Sequence, residues 1–327
     1  MRDKMSRKQK PRAGSMAVRP RKRAKELTPR LKHFYPINKK GLLAYPAYKV
    51  GMKRCIMIDD LPGPSKGMEI VVPVTLAEAP EITIFGIRCY GKDYTGEKVL
   101  FDIISSQPEI RGKLGMKKDS KGRSVEEIEK RKNEITRVAV LAFTHPEMCG
   151  FGKKNHDIVE IPLGGGLEEQ ISYAKEIFEK NVNPSEVLSE GEFVDVIGVT
   201  KGKGWQGPVK RFGVSKQRRK ATGKIRHVGT LGPWHPPYVM YTVPMAGQMG
   251  FHRRTQRNIR ILKTVIKNEE NFKKELEKLN KGGFKHYGII KSNFLVLKGS
   301  VQGPPKRFLL LRKTSGFSVK PNVIEII

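Results

Sequence analysis

A long segment without acidic residues is the feature that most constrains how this chain can fold. Residues 196 to 268 contain no Asp or Glu, although 32 acidic residues among 327 would place about seven there by proportion. The same segment carries sixteen Lys and Arg, so its net charge is +16. Solvated protein surfaces usually mix both signs, which limits self-repulsion. We therefore expect this segment to fold against a polyanion rather than around a core of its own.

A second basic segment lies at the N-terminus. Residues 1 to 40 hold fifteen Lys and Arg against only Asp3 and Glu26, a net charge of +13. The two segments thus supply 29 of the 32 excess positive charges, and the rest of the chain carries only +3. An almost neutral body with two basic arms favours a polyanionic partner, with nucleic acid ahead of an anionic membrane. The N-terminal arm is expected to be extended, and disordered in the free protein.

Several classes of protein are disfavoured by the sequence. No apolar run approaches the roughly 20 residues that span a bilayer, and the N-terminus lacks the apolar core of a secretory signal, so a soluble intracellular protein is expected. The three cysteines, Cys55, Cys89 and Cys149, have no CxxC spacing and are expected to be buried apolar residues. The seven histidines include no HExxH or HxH arrangement. Neither a metal site nor a cofactor is therefore predicted.

Short apolar runs separated by Gly and Pro predict a mainly β body from about residue 41, either a small barrel or a sandwich. The strands are predicted at residues 68 to 76, 82 to 91, 136 to 143, 156 to 163, 193 to 200, 293 to 301 and 306 to 314. Apolar residues at helical spacing predict helices at 167 to 180 and 270 to 279. Ser124 and Glu127, in capping-box spacing, predict a short helix at 124 to 133. The body is thus interrupted by an α/β insertion and by the basic segment.

Two glycine clusters resemble phosphate-binding loops. GKGWQG at 202 to 207 has GxGxxG spacing after a strand, but no helix-like pattern follows and the next acidic residue is Glu269, so a dinucleotide site is rejected. These glycines are better explained by close approach to a phosphodiester chain. The glycines at 164 to 166 precede a helix whose Glu168 and Glu169 would repel an anion, which indicates a structural turn.

The segment GPWHPPYVMYTVPMAGQMGFHRRTQRN, at 232 to 258, combines aromatic and basic residues. Trp234, His235 and Tyr238 are predicted to stack on unpaired RNA bases, and the following arginines to neutralise phosphates. The alternative is that Trp234 and Tyr238 pack against the protein itself. Two other functions remain open: an RNA-modifying or RNA-processing enzyme that grips its substrate with the basic segment, and a DNA-compacting protein. The absence of any acid from the segment weighs against catalysis there.

Several blocks closely resemble the universal ribosomal protein L-three family of the large subunit, in its archaeal or eukaryotic form. They are FVDVIGVTKGKGWQGPVKRFG, GPWHPP, AGQMGFHRRTQRN, GSMAVRPRKR and GSVQGPPKRFLLLRKT, and the match extends over essentially the whole chain. The resemblance implies a translation-factor-like β-barrel body with long basic extensions running through ribosomal RNA. It also implies an early role in subunit assembly and a position for Trp234 near the peptidyl transferase centre.

Modified residues of the relatives do not carry over. The GPWHPP block contains no glutamine to match the methylated glutamine of bacterial relatives, and Thr222 occupies the position of the modified histidine of eukaryotic relatives. This favours an archaeal source. The expected partners are large-subunit ribosomal RNA and neighbouring ribosomal proteins in a cytoplasmic ribosome, with no small-molecule substrate, no membrane and no enzymatic activity.

The resulting prediction divides the chain into six parts. They are a basic N-terminal arm at 1–40, the first part of the barrel at 41–110, an α/β insertion at 111–190, a barrel strand at 191–204, a long basic extension with an aromatic tip at 205–260, and the completion of the barrel at 261–327. The predicted RNA-binding residues are Arg19, Arg21, Lys22, Arg23, Lys201, Lys203, Trp205, Lys210, Arg211, Arg218, Arg219, Lys220, Lys224, Arg226, Trp234, His235, Gln248, His252, Arg253, Arg254 and Arg257.

Overall fold

A computed structural model describes residues 20–117, 123–267, 272–316 and 318–327. The chain divides into two compact units. The first, which we call the basic unit, comprises Met1–Lys25 and Thr200–Arg253, and the second, the core unit, comprises Glu26–Val199 and Arg254–Ile327. None of the helices within the described residues is long and apolar enough to cross a membrane.

The structure is mainly β, as predicted. The strands are β1 (Gly41–Leu42), β2 (Ala44–Ile58), β3 (Glu69–Glu78), β4 (Ile82–Asp93), β5 (Gly96–Ile104), β6 (Arg137–Thr144), β7 (Ile158–Gly164), β8 (Asn181–Val182), β9 (Phe193–Val199), β10 (Gly202–Gln206), β11 (Gly247–Gly250), β12 (Arg253–Val265), β13 (Phe294–Lys298), β14 (Phe308–Lys313) and β15 (Val323–Ile326). The α-helices are α1 (Pro108–Lys113), α2 (Glu127–Lys130), α3 (Leu167–Ile177), α4 (Pro184–Val187), α5 (Pro208–Phe212) and α6 (Phe272–Asn280).

The larger sheet of the core unit has the strand order β14-β9-β12-β13-β3-β2-β15. Because β14 pairs with β2 as well as with β9, the strands from β14 to β2 form a closed ring of hydrogen-bonded neighbours. Strand β14 shows why the sequence forms this arrangement. Its run Phe308–Leu311 is buried throughout, so it reads as a continuous apolar run rather than an alternating one. Inside, the ring of Tyr48 packs edge-on against Phe151 and Phe308, with centroids 5.0 and 5.7 Å apart.

The second sheet has the order β1-β7-β6-β4-β5, with β8 paired to β4. Helix α3 covers it and buries Ile171, Ala174 and Ile177, which confirms the helix predicted from their spacing. The glycine cluster before α3 is a structural turn, as predicted. Gly165 has a φ of +90°, and the Glu169 carboxylate accepts a hydrogen bond from the Gly166 amide at 3.1 Å.

The capping box predicted for Ser124 and Glu127 is wrong. Helix α2 begins only at Glu127, its N-cap is Glu126, and no side chain caps it. The helix has four residues, and its one buried side chain is Ile128. Such a short turn is held by the burial of that isoleucine more than by its terminal residues. The three cysteines are buried and unpaired, as predicted.

A fully buried carboxylate joins three parts of the core unit. Glu78, at the end of β3, accepts hydrogen bonds at Oε1 from the amides of Lys291 and Ser292 at 2.8 and 2.7 Å, and from the Ser292 hydroxyl at 2.8 Å. Its Oε2 accepts from the Gly150 amide at 3.2 Å and from the Tyr287 hydroxyl. These five donors replace the water that the carboxylate loses on burial.

Candidate nucleic-acid interface

Two antiparallel segments form the base of the basic unit. The Thr200 amide donates to the His252 carbonyl at 3.0 Å, and the His252 amide donates to the Thr200 hydroxyl at 3.1 Å. Strands β10 and β11 continue this pairing, with Gly202 opposite Gly250 and Trp205 opposite Gln248. Gly204 and Gly250 have φ values of +67° and +73°, which a side chain would disfavour. The glycines of GKGWQG thus shape an irregular two-stranded ribbon, which the sequence did not predict.

Helix α5 follows this ribbon, so the prediction that nothing helical follows GKGWQG is wrong. The helix has five residues and ends at Gly213, whose φ is +69°. Because the helix is so short, it leaves almost no periodic pattern in the sequence. The argument from the missing acidic residue against a dinucleotide site is unaffected.

Arg211 lies inside the basic unit. Its residue is 7% exposed, and its Nε and Nη1 donate to the carbonyls of Gln248 and Met245, both at 3.1 Å. A Cβ atom on Gly247 would come within 2.8 Å of Nη1, so this glycine allows the guanidinium its close approach. These contacts fasten α5 to β11. Arg211 was predicted as an RNA-binding residue, and in the structure its guanidinium is bonded to these main-chain carbonyls.

The aromatic residues beyond α5 are exposed. Residues 213–246 contain no helix or strand, and within them Trp234 is 88% exposed, Tyr238 69% and Tyr241 64%. The alternative that Trp234 and Tyr238 pack against the protein is therefore wrong. Large apolar groups gathered on a surface mark an interaction site. Tyr241 was not singled out from the sequence, although it lies beside the aromatic run that was.

The charges of the basic unit are also on its surface. Between residues 200 and 253 the exposed predicted cations are Lys201, Lys203, Lys210, Arg218, Arg219, Lys220, Lys224 and Arg226. The core unit differs in that several of its cations pair with carboxylates: Arg88, for example, donates to Asp102 at 2.7 Å and to Glu160 at 3.0 Å. Without acids in the same segment, the cations of the basic unit give it a positive potential that attracts phosphate.

The N-terminal segment joins the basic unit at the base of the ribbon. The Ala24 amide donates to the Phe251 carbonyl at 2.8 Å, and Nδ1 of His252 lies 3.1 Å from the Lys22 carbonyl oxygen. The structure therefore brings together Lys22 and His252, which are 230 residues apart. It also exposes Arg21, Lys22 and Arg23 beside Trp205, which is 76% exposed.

The remaining predicted residues divide between the units. His235 is exposed at a cis bond to Pro236, and the side chain of Gln248 donates to the Gly250 carbonyl at 3.0 Å. Arg253 is half-buried at the start of β12, whereas Arg254 and Arg257 are exposed and belong to the core unit. Arg19 lies outside the described residues.

Comparison with known proteins identifies the family. A family model described as Ribosomal protein L3 matches residues 5–327. The chain belongs to the ribosomal protein L3 family. The resemblance inferred from the sequence blocks is thereby confirmed, and, as a member of this family of ribosomal proteins, the chain is not an enzyme.

Archaeal members of the L3 family are similar to the chain over most of its length. Large ribosomal subunit protein uL3 of Methanocaldococcus jannaschii is 46% identical over 315 residues, which cover 93% of this chain and 91% of the relative. The protein of the same name from Methanococcus vannielii is 43% identical, with the same coverage. That of Methanothermobacter thermautotrophicus is 42% identical and covers 94% and 93%.

Proposed function

We propose that this member of the L3 family is a structural component of the large ribosomal subunit in the cytoplasm, and that its basic unit binds large-subunit ribosomal RNA. The observation that carries the proposal is the exposure of Trp234 in a segment with eleven Lys and Arg between residues 200 and 253 and no acid. An exposed indole among unopposed cations suits RNA, which offers both aromatic bases and phosphates. Its close relatives are named as large-subunit proteins.

The mechanism combines two physical effects. Exposed cations displace counterions from phosphates, which supplies affinity without sequence preference. Aromatic side chains such as Trp234 and Tyr238 stack on unpaired bases and fix the position of the tip. Arg211 and Gln248 serve this interface indirectly, because their side chains bond to main-chain carbonyls of β11 and its surroundings.

The core unit has a different role in this proposal. Its strands return to their starting point through the β14 and β2 pairing, which supports a β-barrel body of the translation-factor type. We infer that this body sits on the subunit, that residues 1–40 and the basic segment extend into RNA, and that Trp234 lies near the peptidyl transferase centre. A protein bound in this way would stabilise folded RNA early in assembly.

The proposal is tested by removing most of the basic unit. Strand β12 begins at Arg253 and buries Ile259 and Arg260, so a deletion of the predicted extension 205–260 would cut into the core unit. Gly202 lies opposite Gly250, so residues 203–249 can be replaced by an Asn-Gly turn that joins the two strands. The shortened protein is expected to unfold cooperatively but to bind large-subunit RNA weakly.

Incorporation into large subunits, followed by sedimentation through a high-salt gradient, is the measurement. Full-length protein should remain with the subunits, whereas the shortened protein should be lost as salt rises. Tyr94→Ala, a substitution at an exposed residue of the turn between β4 and β5 in the core unit, serves as the control and should remain bound. Undiminished incorporation of the protein lacking 203–249 would refute the assignment of RNA binding to the basic unit.

A further inference from the structure

Two clefts of the basic unit meet at Trp205. The larger has a volume of about 600 Å³ and is lined by Arg21, Lys22, Arg23, Ala24, Lys25, Trp205, Gln248 and Phe251. The smaller, of about 300 Å³, is lined by Arg21, Trp205, Arg211, Val239, Met240, Tyr241, Val243, Met245, Ala246 and Gly247. Trp205 and Arg21 thus border both clefts. Clefts of this size are within the range of about 300 to 1,000 Å³ that is typical of small-molecule sites.

The main chain fixes Trp205 at the boundary between these clefts. The residue lies in β10, directly opposite Gln248 of β11. On the partner strand, the Gln248 amide group is held by the Gly250 carbonyl at 3.0 Å, and on its own strand the Gln206 side chain donates to the Lys203 carbonyl at 2.6 Å. With 76% of the residue exposed, burial does not account for the indole. The indole therefore presents a large aromatic surface to solvent. The side chains of its neighbours Gln206 and Gln248 are already hydrogen-bonded to main-chain carbonyls.

The charge around Trp205 indicates the chemistry of the ligand. The larger cleft is bordered by four cations of the N-terminal segment, Arg21, Lys22, Arg23 and Lys25. Among the described residues that line either cleft, none is Asp or Glu. An aromatic side chain of a protein partner would leave these cations unneutralised, and a simple anion would leave the indole in water. A nucleotide satisfies both groups, because its base can stack while its phosphates meet the cations.

We propose that Trp205 is a stacking platform for an unpaired nucleobase of RNA, and that Arg21 and Arg23 neutralise the phosphates beside that base. This inference rests on the proposed RNA-binding function and adds a second stacking site to that at Trp234. The site is composite. The backbone of the N-terminal segment is hydrogen-bonded to the ribbon, Ala24 to Phe251 and Lys22 to His252. These bonds hold the cations of that segment beside Trp205, so the N-terminal segment completes the site.

Fluorescence can report the site directly, because the chain has two tryptophans. In the full-length Trp234→Phe variant, Trp205 is the remaining tryptophan, and its emission can be excited apart from that of the tyrosines. Two ligands are compared: an unstructured single-stranded oligoribonucleotide, and an abasic oligonucleotide of equal length and charge. The base-bearing ligand should quench Trp205 and bind at least about fivefold more tightly than the abasic ligand, as expected for one stacked base. Trp205→Leu should abolish the quenching and reduce this preference, and Trp205→Phe should retain more of the preference than Trp205→Leu.

Two further variants separate stacking from charge. Arg21→Gln with Arg23→Gln should weaken both ligands by a similar factor, because it removes contacts to phosphate alone. Tyr94→Ala removes an aromatic residue that is 96% exposed in the core unit, and it should leave the base preference unchanged.

The possible failures are distinguishable. If both ligands bind equally and Trp205 is not quenched, the stacking site is refuted while RNA binding stands. If Trp205→Leu leaves the preference for bases undiminished, Trp205 stacks on no base and the inference is equally refuted. If neither ligand binds at low salt, the proposed RNA-binding function itself fails.

Discussion

Two basic triplets allow the electrostatic part of the proposed function to be tested at constant net charge. Residues 218–220, Arg-Arg-Lys, are exposed in the basic unit, within the acid-free stretch 200–253. Residues 130–132, Lys-Arg-Lys, are exposed in the core unit, where Arg131 lies 2.6 Å from Glu134. Replacing either triplet by three glutamines lowers the net charge by three. Any difference between the two variants therefore reports where the cations lie.

The expected magnitude follows from counterion release. Each phosphate contact contributes about 0.7 (single strand) to 0.9 (duplex) to the slope of log K against log salt concentration. If all three cations at 218–220 touch phosphate, their loss should make the slope shallower by about 2 to 3. As the salt concentration rises from about 50 to 200 mM, the affinity of both proteins for RNA should fall. The fold decrease should be about 20 to 40 times larger for the unaltered protein than for the variant.

The assay is equilibrium binding to large-subunit ribosomal RNA over this range of salt concentrations. Replacing the triplet at 130–132 should change the slope little, because two of its cations already pair with carboxylates. Arg131 pairs with Glu134, and the Lys132 ammonium lies 2.5 Å from the Glu168 carboxylate. Equal slopes for the two variants would refute the reasoning, because the binding would then depend on net charge alone. Thermal unfolding of both variants checks that the substitutions leave the fold intact.

Three further predictions concern stability and local order. Glu78→Ala should lower the free energy of unfolding by about 3 to 5 kcal/mol in chemical denaturation, and Glu78→Gln by less, because the alanine leaves buried donors without an acceptor. Arg211→Leu should speed amide hydrogen exchange in β11 without unfolding the core unit; unchanged exchange would refute its positioning role. Burial lowers the pKa of His145 from its usual 6.5, so below that pH the unfolded chain takes up a proton that the folded chain resists. Wild type should therefore lose more thermal stability than His145→Asn as the pH falls from about 7 to 5, and parallel losses would contradict this.

Most regular elements of the core unit could be predicted because their apolar patterns are local. Strands β3, β4, β6 and β9 lie close to the predicted runs, since each buries a continuous or alternating set of apolar residues. Helix α3 was predicted for the same reason. The missed elements include the short helix α5, whose five residues do not complete a periodic pattern. They also include the two long strands β2 and β12, whose Lys and Arg residues interrupt the apolar pattern.

The candidate site was partly predictable. An acid-free segment favours an anionic partner whatever its conformation, because its like charges repel one another. Which cations reach the surface is a different matter. Arg211 and Lys210 are adjacent and chemically similar, yet the first is buried against carbonyls of residues 245 and 248 and the second is exposed. The sequence has no local signal for that difference, because it depends on contacts more than thirty residues away.

The sequence by itself determined the family, the mainly β composition and the location of the excess charge, all of which depend on the order and type of residues. Only the tertiary structure decided that β14 pairs with β2 as well as β9, that Glu78 receives five donors, and that residues 21–25 meet Trp205. These features join residues far apart in the chain. Backbone hydrogen bonds and clefts of this kind exist only once distant segments are packed together, so no local pattern can specify them.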